Sequence, residues 1–209
     1  SIALWNLNQL ANALYPLIED VPVLEGILNN FKEYYIKNYA KMLYRKLGLE
    51  IAEFSDQNFQ RKLFELLTES EIDMTIFYRN ITSFDVNAVE KHLQTIKEAS
   101  YLQGEIFNNF RSEWTNWLQE YAKKLKAENQ NQAERIAKMN AINPKYVLRN
   151  YMAQLAIEDA EKGKYELLKE LHVLLKNPYD EQKDKEKWFA KRPNWALNKV
   201  GCSQLSCSS

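Results

Sequence analysis

The sequence predicts an all-α protein. Three observations carry that prediction. The chain of 209 residues holds only five glycines and five prolines, too little turn material for many short strands. Its apolar residues recur at steps of three and four rather than two. The clearest stripe runs from Ile106 through Phe110, Trp114, Trp117, Leu118 and Tyr121 to Leu125.

The elements follow in order. Trp5 to Leu17 places Leu7, Leu10, Ala11 and Leu14 on one helical face, with Pro16 near its end. A longer helix follows Pro22, with Leu24, Ile27, Leu28, Phe31, Tyr35, Met42 and Leu43 on one face. Gly48 stands where a left-handed C-terminal cap belongs. Asp56 introduces a short amphipathic helix carrying Phe59, Leu63, Leu66 and Leu67, and Ile72, Ile76 and Phe77 indicate another. Asp85 is the expected N-cap of the helix bearing Val89, Leu93 and Ile96. After the aromatic stripe, Ala127 to Arg135 is polar and reads as a loop or helix entry. Asn143-Pro144 reads as a helix start, since Asn caps and Pro suits the first turn. That helix runs through Tyr151 and Leu155 toward Gly163. Leu167, Leu168, Leu171, Leu174 and Leu175 form the next, ended by Asn177-Pro178. The division expected is a helical domain over 1–177 and a C-terminal arm with a cysteine-containing tail over 178–209.

Composition excludes several functions. Twenty-eight basic and 28 acidic side chains cancel, so no net field draws the chain to nucleic acid or membrane. No run of about 18 apolar residues is present to span a bilayer. Ser1 to Trp5 lacks the basic start and apolar stretch of a secretory signal, and its opening without methionine reads as a piece of a longer protein. Two cysteines build no disulfide framework, so a reducing compartment is expected.

Chemistry-bearing groups are sparse. The scattered glycines form no phosphate-cradling loop. His92 and His172 stand within separate helices without ligands at metal spacing, and read as ordinary helix histidines. Cys202 and Cys207 supply two of the four ligands that zinc takes, so no metal site is expected. Glu158, Asp159 and Glu161, with Lys162 and Lys164, read as a solvated face. Trp114 and Trp117 have the spacing of a stacking platform, yet they lie on the apolar stripe and are assigned to the core. Lys191, Arg192 and Lys199 are too few for a nucleic-acid footprint. The tail Gly201 to Ser209 leaves two readings open: inert thiols, or a redox pair whose reactivity follows access and thiolate fraction.

Several segments, in order along the chain, resemble the selenoprotein O (SelO/YdiU) family. Leu4 to Ala11 is similar to its WNLxRLA stretch, with Gln9 where arginine is usual. Asp73-Met74-Thr75-Ile76-Phe77-Tyr78-Arg79 resembles DYTxFFR, and Asn143 to Tyr151 (NPKYVLRNY) resembles a characteristic family motif. Trp188, Lys191-Arg192-Pro193, Trp195 and the end GCSQLSCSS resemble the family's C-terminus.

The resemblance implies the helical C-terminal region of a protein-kinase-like fold, once classed as a pseudokinase, with an extended C-terminal tail. It implies transfer of AMP from ATP, with magnesium, to hydroxyl side chains of proteins. The family's nucleotide lysine, its catalytic-loop motif and its metal-binding DYGPF aspartate all precede the WNL segment. No ATP, metal or catalytic residue therefore carries over onto this chain, and neither ATP nor magnesium is expected on it. Cys207 matches the position where animal members carry selenocysteine, and the family picture pairs it with a cysteine of the activation segment; Cys202 is the local alternative. Implied partners are the N-terminal kinase-like part and protein substrates, with no nucleic acid and no membrane. The implied location is cytoplasmic for a bacterial-type member and mitochondrial for a eukaryotic one. A stand-alone helical interaction module without catalysis is the competing reading.

Overall fold

Apolar stripes at helical spacing, closed by caps, produce a helical molecule. A computed structural model describes residues 2–50, 57–102 and 104–202. The helices are α1 (Ile2–Ile18), α2 (Val21–Lys46), α3 (Gln57–Glu69), α4 (Met74–Asn80), α5 (Val89–Ala99), α6 (Gly104–Phe107), α7 (Arg111–Glu128), α8 (Gln132–Ile142), α9 (Asn150–Ala160) and α10 (Glu166–Lys176). Short 3₁₀ segments lie at Ile81–Ser83, Asn108–Phe110, Lys183–Trp188 and Asn194–Ala196. Among the described residues there is no strand, only an isolated bridge between Ile72 and Ser100. The all-α expectation holds over these residues.

Helix ends follow local chemistry. Asp20 caps α2 by accepting from the Val23 N–H at 3.1 Å, and Pro22 occupies the first turn. Gly48, at φ +68°, ends α2 as expected. The Gly48 N–H donates to Arg45 O (3.1 Å) and the Leu49 N–H to Tyr44 O (2.9 Å), the paired bonds of a Schellman turn.

Three local expectations fail, each for a physical reason. Asn143-Pro144 ends α8 rather than starting α9. The residue before proline is driven out of the helical region, and Asn143 sits at φ −99°, ψ 104°; α9 starts at Asn150, with Arg149 at its N-cap position. Asp85 does not cap α5, whose N-cap residue is Ala88. Its carboxylate instead accepts from the Asn87 N–H at 2.9 Å, a tight Asx turn. The stripe beginning at Ile106 is interrupted by the 3₁₀ turn Asn108–Phe110, whose three-residue period shifts the phase. Phe107 is buried and Ile106 is exposed as a result. Asp56 lies outside the described residues.

Two apolar clusters form the interior. In the larger, α3, α4, α5 and α7 enclose Trp114, Trp117 and Tyr121. Phe59 stacks on Trp117 with centroids 4.9 Å apart, and Trp117 on Tyr121 at 5.4 Å. The polar tips of these three find acceptors: Trp114 Nε1–H bonds Ser70 Oγ, Trp117 Nε1–H bonds Phe59 O, and the Tyr121 hydroxyl bonds Leu47 O. The tryptophans are core residues, as their place on the stripe indicated. The smaller cluster joins α9 and α10 to the chain after Pro178, through Tyr146, Met152, Leu171, Leu174, Trp188 and Cys202. Phe189 packs against both clusters. The hairpin of α1 and α2 stands apart. Leu4, Leu7 and Ala11 are half-buried and no residue of α1 is fully buried.

Candidate functional site

Three of the segments that carry the family resemblance meet at one polar junction. Asp73 ends the turn before α4, where its carboxylate caps the helix by accepting from the Ile76 N–H at 3.2 Å. The same carboxylate receives two bonds from the Arg149 guanidinium, at 2.5 and 2.9 Å, and one from the Tyr101 hydroxyl at 2.9 Å. That hydroxyl in turn accepts the Arg192 N–H at 3.0 Å. The Arg192 guanidinium lies 5.3 Å over the Tyr101 ring, and Lys191 Nζ donates to Ser100 O. Residues from 73–79, 143–151 and 191–195 are thereby joined through Tyr101.

A second node lies beside it. The Arg79 guanidinium donates to four oxygens: Asn140 O, Asn143 O, Tyr179 O and the Glu181 carboxylate. Lys145 bridges Glu181 at 2.6 Å and Glu186 at 2.5 Å. Asn143 donates through Nδ2 to Lys46 O and accepts from Lys46 Nζ, tying the end of α2 to the same node.

The surroundings favour the charged forms of Asp73, Glu181 and Lys145. Burial pushes the Asp73 carboxyl up, but the bonds and charge of Arg149, with the Ile76 and Tyr101 donors, outweigh it and hold it below the usual range. Bonds from Lys145 and then Arg79 hold Glu181 down. Burial lowers Lys145, yet its bonds to Glu181 and Glu186 raise it overall. Groups locked in their charged forms are poor general acids or bases near neutral pH. The junction binds chain segments together.

The other singled-out residues have ordinary places. His92 accepts the Asp85 N–H on Nε2 at 2.9 Å, and burial, with Lys91 adding, keeps it below its usual value. His172 is exposed on α10. Glu158 pairs with Lys199 and accepts from Gln154. Asp159, half-buried, and Glu161, exposed, lie at the end of α9. Cys202 is buried, 5% exposed, in the smaller cluster. Cys207 lies outside the described residues. Among the described residues no group of three or more His, Cys, Asp or Glu is arranged to hold a metal, and no helix is long and apolar enough to cross a membrane.

Sequence reading missed Tyr101, Glu181 and Glu186. The acidic pair sits in a run of alternating charges that gives no sign of which members turn inward. Tyr101 follows a helix end and carries no motif signal. Asp73 appeared in the sequence only as the first residue of the motif Asp73–Arg79, and neither its cap nor its bond to Arg149 was legible.

Fold and junction together define a class: an all-helical domain whose buried ions cross-link its own segments. Comparison with known proteins gives the family. The profile described as protein adenylyltransferase SelO matches residues 1–176. Relatives named protein nucleotidyltransferase YdiU match the whole chain. The protein of Flavobacterium johnsoniae is 49% identical over 209 residues, those of Aromatoleum aromaticum and Tolumonas auensis 42% and 41%. The chain covers 40%, 39% and 40% of these proteins respectively, about two fifths of their length. The chain belongs to the SelO family.

Proposed function

We propose that this chain is the helical C-terminal region of a SelO-type protein adenylyltransferase. The whole protein transfers AMP from ATP to Ser, Thr or Tyr hydroxyls of other proteins, with pyrophosphate as the leaving group. ATP and magnesium are held by the part of the polypeptide to which this chain does not correspond. The observation that carries the reading is the family match over residues 1–176, joined to relatives named as nucleotidyltransferases of which the chain spans two fifths. In this reading the helical region lies beneath a kinase-like active site and shapes the side where protein substrates arrive. The motif junction keeps that support rigid, since catalysis by placed charges needs fixed geometry.

Cys207 is the redox group of the reading, paired with a cysteine elsewhere in the whole protein. Burial of Cys202 supports this division, because a thiol in an apolar cluster reacts slowly. The test of activity is direct. Incubated with labelled ATP, magnesium and a test protein, the chain alone transfers no AMP; clear transfer overturns the reading.

An interaction module without catalysis has one observation in its favour, the exposed apolar surface of the α1–α2 hairpin. Restored AMP transfer on adding the remainder of the protein separates the two in favour of the enzyme.

A further inference from the structure

Among the described residues, the arginines and lysines that lie buried are Arg79, Lys145 and Arg135. Two of them are paired: Arg79 with Glu181, and Lys145 with Glu181 and Glu186. Arg135, the fourth residue of α8, is 5% exposed and forms no ion pair among the described residues. Its guanidinium donates to Phe84 O at 2.9 Å and to Met139 Sδ at 3.4 Å. The Tyr121 hydroxyl is its other polar neighbour, and burial keeps that group protonated. None of these neighbours is an anion. A buried charge without a counter-charge is strongly disfavoured, and an anion bound beside it offsets the cost.

Arg135 lines a cleft of about 280 Å³ between the turn 84–87, the end of α7 and the start of α8. Lys126 lines the same cleft, is exposed and forms no ion pair among the described residues. The side-chain amides of Asn87, Asn129 and Gln132 lie on the lining too, uncommitted to any hydrogen bond among the described residues. Asp85 is the one acid of the lining. Its carboxylate accepts from the Asn87 N–H and pairs with neither cation. The first turn of α8 adds its positive end. Asn131 caps the Ala133 and Glu134 N–H groups and leaves the Gln132 N–H without an acceptor.

Three ligand classes compete for such a lining. Two cations repel a metal ion. A carboxylate has two oxygens, which one guanidinium satisfies, and leaves Lys126 and the amides unused. A phosphate group carries close to two negative charges near neutral pH and several acceptor oxygens. It matches both cations and the neutral donors around them.

We propose that this cleft binds a phosphate group, with Arg135 and Lys126 supplying the charge and Asn87, Asn129 and Gln132 the neutral donors. The proposal does not depend on the adenylyltransferase reading.

The test titrates inorganic phosphate into the 209-residue chain near neutral pH and at constant ionic strength, read by calorimetry and by the thermal midpoint. Binding should saturate at one site, raise the midpoint as a native-state ligand does, and exceed that of acetate at least about tenfold. Lys126→Ala should weaken phosphate binding at least about fivefold, and Arg135→Gln at least about twentyfold. Lys164→Ala removes an exposed ammonium from the turn between α9 and α10 and should leave binding unchanged. Circular dichroism verifies the fold of each variant; Lys126 is exposed, so its variant decides the matter if Arg135→Gln unfolds. Absence of binding up to about 10 mM phosphate overturns the site. A midpoint that rises without saturation, or equally in Lys126→Ala and Lys164→Ala, is the general effect of an excluded salt and overturns it too. Acetate binding as tight as phosphate binding makes the cleft a carboxylate seat and also overturns the proposal.

Discussion

Asp73 shows at the residue scale how this protein uses charge. One carboxylate caps α4, anchors Arg149 from 76 positions away and orients Tyr101. Its side chain is 4% exposed and that of Arg149 is 16% exposed. Asp73→Ala removes the cap and strands a largely buried guanidinium, so it should destabilise by about 3–5 kcal/mol in urea denaturation. Replacing both partners by apolar residues, Asp73→Leu with Arg149→Met, should recover part of that loss; a single variant costing under about 1 kcal/mol contradicts the clamp. The cysteines give a second prediction. Native thiol labelling should be biphasic, with Cys207→Ser abolishing the fast phase and Cys202→Ser the slow one. Cys207 is expected to be fast because its neighbours are small and polar, and Cys202 slow because it is packed among aromatic and aliphatic groups. Most of this was illegible in sequence. The apolar pattern of Ile72, Ile76 and Phe77 did not mark where the helix starts, although the capping role of Asp73 is local. Its ion pair is set by how α4 and the segment before α9 are brought together, and no spacing rule records that.

At the scale of elements, two glycines in or beside one helix should respond oppositely. Gly26 lies within α2 with open space around its missing side chain, so Gly26→Ala should stabilise by about 0.5–1 kcal/mol. Gly48 is left-handed, and a Cβ there would lie 2.5 Å from Met139 Sδ and 2.9 Å from Arg135 Cγ. Gly48→Ala should therefore destabilise by about 1 kcal/mol or more, measured in the same denaturation series. The turn Lys183–Trp188 depends on Glu170, which accepts from Trp188 Nε1 at 3.0 Å and pairs with Lys185 and Lys187. Those bonds, Trp188 first, lower the Glu170 pKa from 4.5 to about 2. A depressed carboxylate contributes stability fully above its unfolded value and loses it as pH falls through its folded one. Trp188 fluorescence should thus report loosening of this turn between about pH 4.5 and 2, and Glu170→Gln should weaken the docking already at pH 7. Elements with long stripes were legible: α2 and α10 fall where periodicity places them, and α7 does so from Arg111 onward. Boundaries were not. Proline marks both helix starts and helix stops, and only the path of the chain at Asn143-Pro144 decides between them.

For the whole molecule, composition and fold point the same way. The interior is built by α3 to α10 and the chain after Pro178, while α1 and most of α2 lie outside it. The absence of charge on α1 was visible in the sequence. Family membership was equally visible, because the resembling segments run the length of the chain. The chemistry was not visible here, since the reading assigns it to residues outside this chain.

The central claim is that this helical region supports catalysis without performing it. Reconstitution tests it most directly: labelled AMP transfer to a protein substrate is measured with the chain alone, with the remaining part of the Flavobacterium johnsoniae relative alone, and with both co-expressed. The account predicts transfer only when both are present. Transfer by the chain alone, or equal transfer by the remaining part with and without the chain, would contradict it.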